Sequence, residues 1–476
     1  MLSSVNNSKL IFTKMKRFKY YIVTAIILLS LVPACKEKEV PPDDTNKIPA
    51  DIIATNEWIF ETLSLYYYWN NNIPGNIDLN LESDPIVYFN KILYKEKDRW
   101  SYITDDYPSL KADNSGVPLT MGYYPAFYLA GENNVIIVVC YVYPGSTADE
   151  AGLKRGDIIL SINNTLLDRT NYYDLYSGIN YSVQLGAIED NSLVSTDKSL
   201  TLVARVTQTN PAIHHEIIDV DGIKIGYLTY VEFTSGENGV YLPVLDNIFN
   251  EFKNADVSEL IVDLRYNPGG DIDAVQHLTS QIAPSNVTLN EEILVKLKYN
   301  NELQQYLEYN NYTDLLYYNF KTVSSNINMS RVFVLTTNRS ASASELLIIG
   351  LKPYMDVVHI GDTTYGKYAG SWVIPDDQEK WAMMPIVMKF ANIQDFTDFE
   401  DGLFPDHIIK DDPVEAIPFG DPSDPLVAKA IEIATGTTIP LKKAKAADMP
   451  GLKQLYPEEM YAGKNLIIPL TKHTLK

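Results

Sequence analysis

Residues 331–371 read RVFVLTTNRSASASELLIIGLKPYMDVVHIGDTTYGKYAGS, and the rest of the chain is interpreted outward from this stretch. Residues 332–335 are a short apolar run of the kind that forms a buried strand. Small polar residues follow, and Glu345-Leu-Leu-Ile-Ile-Gly-Leu351 then opens a mostly apolar helix. A serine at such a strand-to-helix turn has its hydroxyl at the positive end of a helix, beside unpaired backbone N–H groups. That geometry can expose a nucleophile and stabilise an oxyanion. A second apolar run, 357–361, leads to Thr364-Tyr-Gly-Lys367, where a lone lysine follows glycine in an otherwise uncharged stretch. A lysine kept neutral by desolvation can be the general base for a serine. Taken singly, the serine run is also what an ordinary capped helix start shows, and the lysine what an exposed hairpin shows.

Together the two features are far more specific. S-A-S-A-S-E at 340–345, followed by G-D-T-T-Y-G-K at 361–367, resembles the active-site pair of the C-terminal processing (tail-specific) serine peptidases. The separation, 367 − 342 = 25 positions, agrees with that family's pattern. The resemblance implies Ser342 as nucleophile, Lys367 as base and no metal or cofactor. Asp263-Leu-Arg-Tyr-Asn-Pro-Gly-Gly270 is similar to the family's D-L-R-x-N-P-G-G element. By that resemblance, an N–H of the Gly269-Gly270 turn and that of Ala343 form the oxyanion hole, and which glycine donates stays open. Gly402-Leu-Phe-Pro-Asp406 resembles a G-x-x-P-D turn. One position departs: the family usually places glutamine four residues after the lysine, and here Ser371 stands there. Serine can accept a hydrogen bond from Lys367 but reaches less far. His277 and His359 are the alternative partners, in a Ser-His-Asp triad, but neither lies in a recognisable motif.

With 476 residues, 46% hydrophobic and 21% charged, the chain has the make-up of a globular protein with room for several domains. A formal charge of −22 argues against nucleic acid or an anionic membrane surface as partner. Two cysteines, Cys35 and Cys140, make no disulfide framework or zinc spacing, and the six histidines show no metal-ligand pattern. Basic residues at 14–19 precede an apolar run at 20–31 of signal-peptide length, too short for a comfortable membrane span. Leu31-Val-Pro-Ala-Cys35 looks like a bacterial lipobox, which implies cleavage before Cys35 and its lipidation. The expectation is a cell-envelope protein held only by that lipid anchor.

The expected organisation is a lipoprotein signal peptide (1–34), a charged tether (35–48), a helical N-terminal module (49–108), a PDZ-like domain (109–206), a peptidase core (207–440) and a tail (441–476). Tyr143 to Asn163 resembles the second half of a PDZ domain, a module that adds a peptide as a strand to an exposed edge. Its carboxylate-binding loop should lie at Met121, Gly122 and Tyr123, although the usual glycine-rich form is missing. Residues 180–198 look like a loop insertion, and the tail carries no assigned function. The resemblance implies an α/β fold, a ClpP/crotonase-like peptidase core with the PDZ domain and the helical module attached. The expected function is a serine endopeptidase acting through an acyl-enzyme on exported or envelope proteins, with free C-termini as one route of recognition. The alternatives are a catalytically silent peptide- or ligand-binding lipoprotein on the same fold, and a structural envelope protein.

Overall fold

The computed structural model describes residues 48–75, 78, 82–190, 192–415, 417–441, 452–457 and 466–468. The signal peptide, Cys35 and all of the tether but its last residue lie outside them. Among the described residues, no helix is long and apolar enough to cross a membrane.

The apolar run of the decisive stretch forms the strand Arg331–Thr336, in the middle of a six-stranded sheet. The order is Ala212–Val220, Ile223–Tyr230, Glu259–Asp263, Arg331–Thr336, Asp356–Gly361 and His407–Ile408. The first two strands are an antiparallel hairpin and every later pairing is parallel. Parallel strands are covered on both faces, which is why these segments read as near-continuous hydrophobic runs rather than alternating ones. Val332 and Val334 face one apolar core together with the helices Leu242–Asn254, Ile272–Ile282 and Ala343–Leu351. Phe333 and Leu335 face the other, under the helix Pro425–Thr435. Three turns follow the C-terminal ends of parallel strands: 264–271, 337–342 and 362–368. In open α/β sheets that end is where ligands bind.

A second sheet runs Tyr317–Asn319, Ile293–Tyr299, Ile386–Ala391, Ala369–Ser371 and Leu466–Ile467. The helices Ala50–Tyr66 and Pro85–Ile92 form the N-terminal module. It is docked on the core by Tyr68 N–H, which donates to the Ile386 carbonyl at 2.8 Å, and by the Asn300 side chain, which reaches the Leu65 and Tyr67 carbonyls. A further helix, Tyr107–Asn114, runs across position 108, so the chain passes from module to PDZ without a break there.

The PDZ sheet contains Tyr123–Ala130, Asn134–Val142, Ile158–Ile162, Asn180–Glu189 and Ser192–Val203, with the short helices Thr147–Glu150 and Tyr172–Tyr176. Residues 180–198 are therefore not a loop insertion. They belong to a long hairpin, paired from Asn180↔Val203 to Glu189↔Ser192. Its outer strand is mostly exposed and polar, so no apolar face announced it in the sequence.

Candidate active site

Ser340, Ser342 and Ser344 share one turn, and their hydroxyls have different fates. Ser340 Oγ donates to the Leu264 carbonyl at 2.7 Å and Ser344 Oγ to the Asn267 carbonyl at 2.9 Å. Both fasten the serine turn to the Gly269-Gly270 turn. Ser342 Oγ, fully buried, has no hydrogen-bond partner among the described residues. Its backbone carries φ +58° and ψ −109°, a conformation L residues rarely adopt, at the N-cap of the helix Ala343–Leu351.

One carboxylate organises the site. Glu345, fully buried, accepts on Oε2 from the N–H groups of Ser342 (2.7 Å) and Lys367 (2.8 Å). On Oε1 it accepts from Thr364 Oγ1 (2.6 Å) and Gly366 N–H (2.7 Å). A single side chain thus ties the turn of Ser342 to the loop of Lys367 across 25 positions (367 − 342) of sequence. Burial pushes its carboxyl pKa up, and the four hydrogen bonds pull the other way. The sequence reading gave Glu345 no role. Its signal was there, since Ser-x-x-Glu at a helix start is the capping-box spacing.

Lys367 is 3% exposed, not a surface hairpin lysine. Burial lowers its pKa to about 7, against the pull of Glu345 and Asp98; Arg99 pushes the same way as burial. A lysine in this state is about half neutral near pH 7. Ser371 is also buried, on the strand Ala369–Ser371, and its hydroxyl donates to the Met384 carbonyl at 3.4 Å.

Gly269 and Gly270 have φ of +106° and +134°. A side chain on Gly269 would meet Ser342 Cβ at 2.6 Å, and one on Gly270 would meet the Phe233 carbonyl at 2.1 Å, so both must be glycine. The Gly269 N–H donates to Asn267 Oδ1 at 2.9 Å. Gly270 N–H has no partner among the described residues, and Ala343 N–H stands in the first helical turn, where no intrahelical acceptor exists. Asn267, unassigned from sequence, also accepts from Ala341 N–H on its carbonyl and donates to the Tyr230 carbonyl.

The neighbouring Arg265 is buried against Asp263, Asp411 and Asp424 at 2.6–2.8 Å, anchoring the strand that feeds the glycine turn. Gly402, in the G-x-x-P-D turn, packs so closely on the base loop that a side chain there would meet the Thr364 carbonyl at 2.2 Å. Neither alternative histidine approaches Ser342 Oγ. His277 faces Asp246 at 3.1 Å, and His359 faces Thr336 Oγ1 at 2.5 Å, with its pKa pushed down to about 4 by burial. Among the described residues no His, Cys, Asp or Glu cluster could hold a metal ion.

In the PDZ domain, Met121, Gly122 and Tyr123 precede and open the strand Tyr123–Ala130. The Met121 and Gly122 carbonyls accept from Ala148 N–H and Tyr143 N–H, and Gly122 N–H donates to Thr120 Oγ1 at 3.0 Å. The Tyr123 ring is buried, its hydroxyl 2.8 Å from that of Tyr181. Cys140 is buried on the next strand, in no disulfide, and takes a hydrogen bond from Arg339 at 3.3 Å.

The profile described as "Peptidase family S41" matches residues 224–409, that of the peptidase S41 N-terminal domain residues 54–102, and that of the PDZ domain residues 138–175. The carboxyl-terminal-processing protease of Picosynechococcus sp. is 23% identical over 340 residues, covering 70% of this chain and 74% of that protein. The carboxy-terminal processing protease CtpB of Bacillus subtilis is 24% identical over 247 residues, covering 50% of this chain and 45% of that protein. Among solved structures, a Bacteroides fragilis protein of the S41 protease kind matches 85% of this chain and 100% of its own, with 25% identity and a TM-score of 0.66. The chain belongs to peptidase family S41, in the C-terminal processing form that carries a PDZ domain.

Proposed function

We propose that the protein is a serine endopeptidase with a Ser342–Lys367 dyad. The carrying observation is that, of the three serines in the turn, Ser342 alone leaves its hydroxyl uncommitted, and that Glu345 ties its backbone to that of a buried lysine with a pKa lowered to about 7. Neutral Lys367 accepts the Ser342 proton as Oγ attacks a peptide carbonyl. The tetrahedral oxyanion is held by the N–H groups of Gly270 and Ala343, since that of Gly269 is engaged by Asn267. Lys367 then protonates the leaving amine, and water, deprotonated by the same lysine, hydrolyses the acyl-enzyme. Ser371 takes a supporting place on the strand that follows Lys367, its own proton directed to Met384.

The substrates are extended, unfolded segments of exported proteins, and Cys35 carries the lipid that keeps the enzyme at the envelope. This location rests on the leader sequence, and mass spectrometry of the mature N-terminus tests it: an unmodified Cys35 removes the anchor. For the activity, the chain truncated before Cys35 is incubated with an unstructured protein, beside Ser342→Ala and Lys367→Ala. Cleavage by the parent alone is expected, with a loss on the order of a thousandfold or more in each variant. Cleavage retained by Ser342→Ala overturns the dyad.

A further inference from the structure

Two pieces of the C-terminal tail pair with strand edges, one on the PDZ domain and one beside the candidate active site. The first, Leu452–Leu455, pairs antiparallel with the PDZ strand Tyr123–Ala130, from Leu452↔Ala130 to Leu455↔Phe127. It takes the edge left open by the pairing with Asn134–Val142, and runs toward the Met121-Gly122 loop. Leu455 packs on the PDZ core, as Tyr172 and Tyr176 also do. Adding a strand to this kind of edge is how such a domain binds a peptide, yet 19 residues follow Pro457 in the sequence (476 − 457), so this occupant is not a free terminus.

The second piece runs between the strand that follows Lys367 and the glycine turn. Leu466–Ile467 pairs parallel with Ala369–Ser371, four positions beyond Lys367 at its far end. Ile467 N–H donates to the Gly270 carbonyl at 3.0 Å, and Ile468 N–H to the Ser371 carbonyl at 3.3 Å. The tail therefore bridges the strand Ala369–Ser371, which follows Lys367, and the glycine turn. Leu466 and Ile468 are buried in the main core, while Ile467 packs against Ala382 and Met384. Gly370 makes room for it: a side chain there would meet the Leu466 carbonyl at 3.3 Å. With this strand in place, Ser342 is fully buried.

We propose that the tail is an intramolecular peptide ligand of both sites, a substrate-like strand that closes the enzyme until a competing peptide displaces it. The proposal rests on the Ser342–Lys367 reading for what the cleft does. The tail's backbone contacts are open to any extended chain, and its Leu and Ile side chains name the class that competes: extended, aliphatic-rich segments. A ligand tethered by a short linker acts at an effective concentration of roughly millimolar, so a peptide of equal intrinsic affinity meets a large handicap in the intact chain.

The test compares the full chain with its Leu466→Asp/Ile468→Asp variant, using a fluorescein-labelled peptide of residues 452–470 and a fluorophosphonate probe for Ser342. The variant is expected to bind the peptide, by anisotropy, at least about tenfold more tightly and to label at least about tenfold faster. Equal binding and labelling in a variant with the parent's circular dichroism overturns the proposal. Should the substitutions unfold the protein, a second form carries a site-specific cleavage sequence within 458–465. Cutting it should speed labelling, and adding the 466–476 peptide should slow it again. Labelling that is lost on cutting, or not slowed by the peptide, also overturns it. If no form labels, the dyad reading fails, and the anisotropy alone still decides the tail.

Discussion

Lys367 sets two observable consequences at the scale of a residue. Its pKa is lowered to about 7, and the proposed reaction uses the neutral amine, so kcat/KM should rise tenfold per pH unit below about 7 and level off above it. A flat profile from pH 5 to 9 would remove Lys367 as the base. The same burial has a cost in stability. An unfolded lysine protonates below about 10.5, whereas the folded one stays neutral down to about 7. The fold is therefore penalised increasingly as pH falls through this window, and fully below it, by on the order of a few kcal/mol. Lys367→Met should accordingly raise Tm at pH 6 while abolishing activity, and the gain should vanish by pH 11. A lower Tm at pH 6 would contradict the buried, uncharged lysine.

Among local elements, the nucleophile turn and the base loop are joined mainly through Glu345, which accepts four hydrogen bonds in full burial. Glu345→Gln keeps the size but turns an NH₂ group toward donors. It should cost about 2–4 kcal/mol of stability and lower kcat far more than it raises KM, because it displaces Ser342 and Lys367 without touching the substrate. Denaturant melts and steady-state kinetics check both, and a pure KM effect would assign Glu345 to binding instead. The three serines illustrate how far local sequence reaches at this scale. S-A-S-A-S is legible as a nucleophile turn, and the middle serine follows from resemblance, but the reason is spatial: the outer two are spent on the Leu264 and Asn267 carbonyls. The proposal of Gly270 over Gly269 as oxyanion donor likewise rests on the Asn267 side chain, which engages the Gly269 N–H.

Over the whole molecule, the N-terminal module reaches the site. Arg99 donates to the Glu400 carbonyl at 3.1 Å beside the base loop, and Asp98 and Arg99 bias Lys367 in opposite directions. Asp98→Asn removes a charge that favours the ammonium, so the acidic limb of the pH profile should move to lower pH. Arg99→Gln should move it to higher pH. Shifts of the same sign in both would rule out through-space tuning and point to disordering of the module. The sequence by itself determined the parts that chemistry confines to short motifs: the Ser342–Lys367 spacing, the glycine turn, the apolar strands of the parallel core and the PDZ half between 143 and 163. These are legible because steric and hydrogen-bonding demands act over a few residues. Only the tertiary structure decided the neutral lysine, the stapling by Glu345, the hairpin at 180–203 and the place of the tail. Desolvation depends on everything packed around a group, and strand pairing joins distant positions, such as Ser371 to Ile467 (467 − 371 = 96 apart) or Phe127 to Leu455 (455 − 127 = 328 apart). No local pattern carries either one.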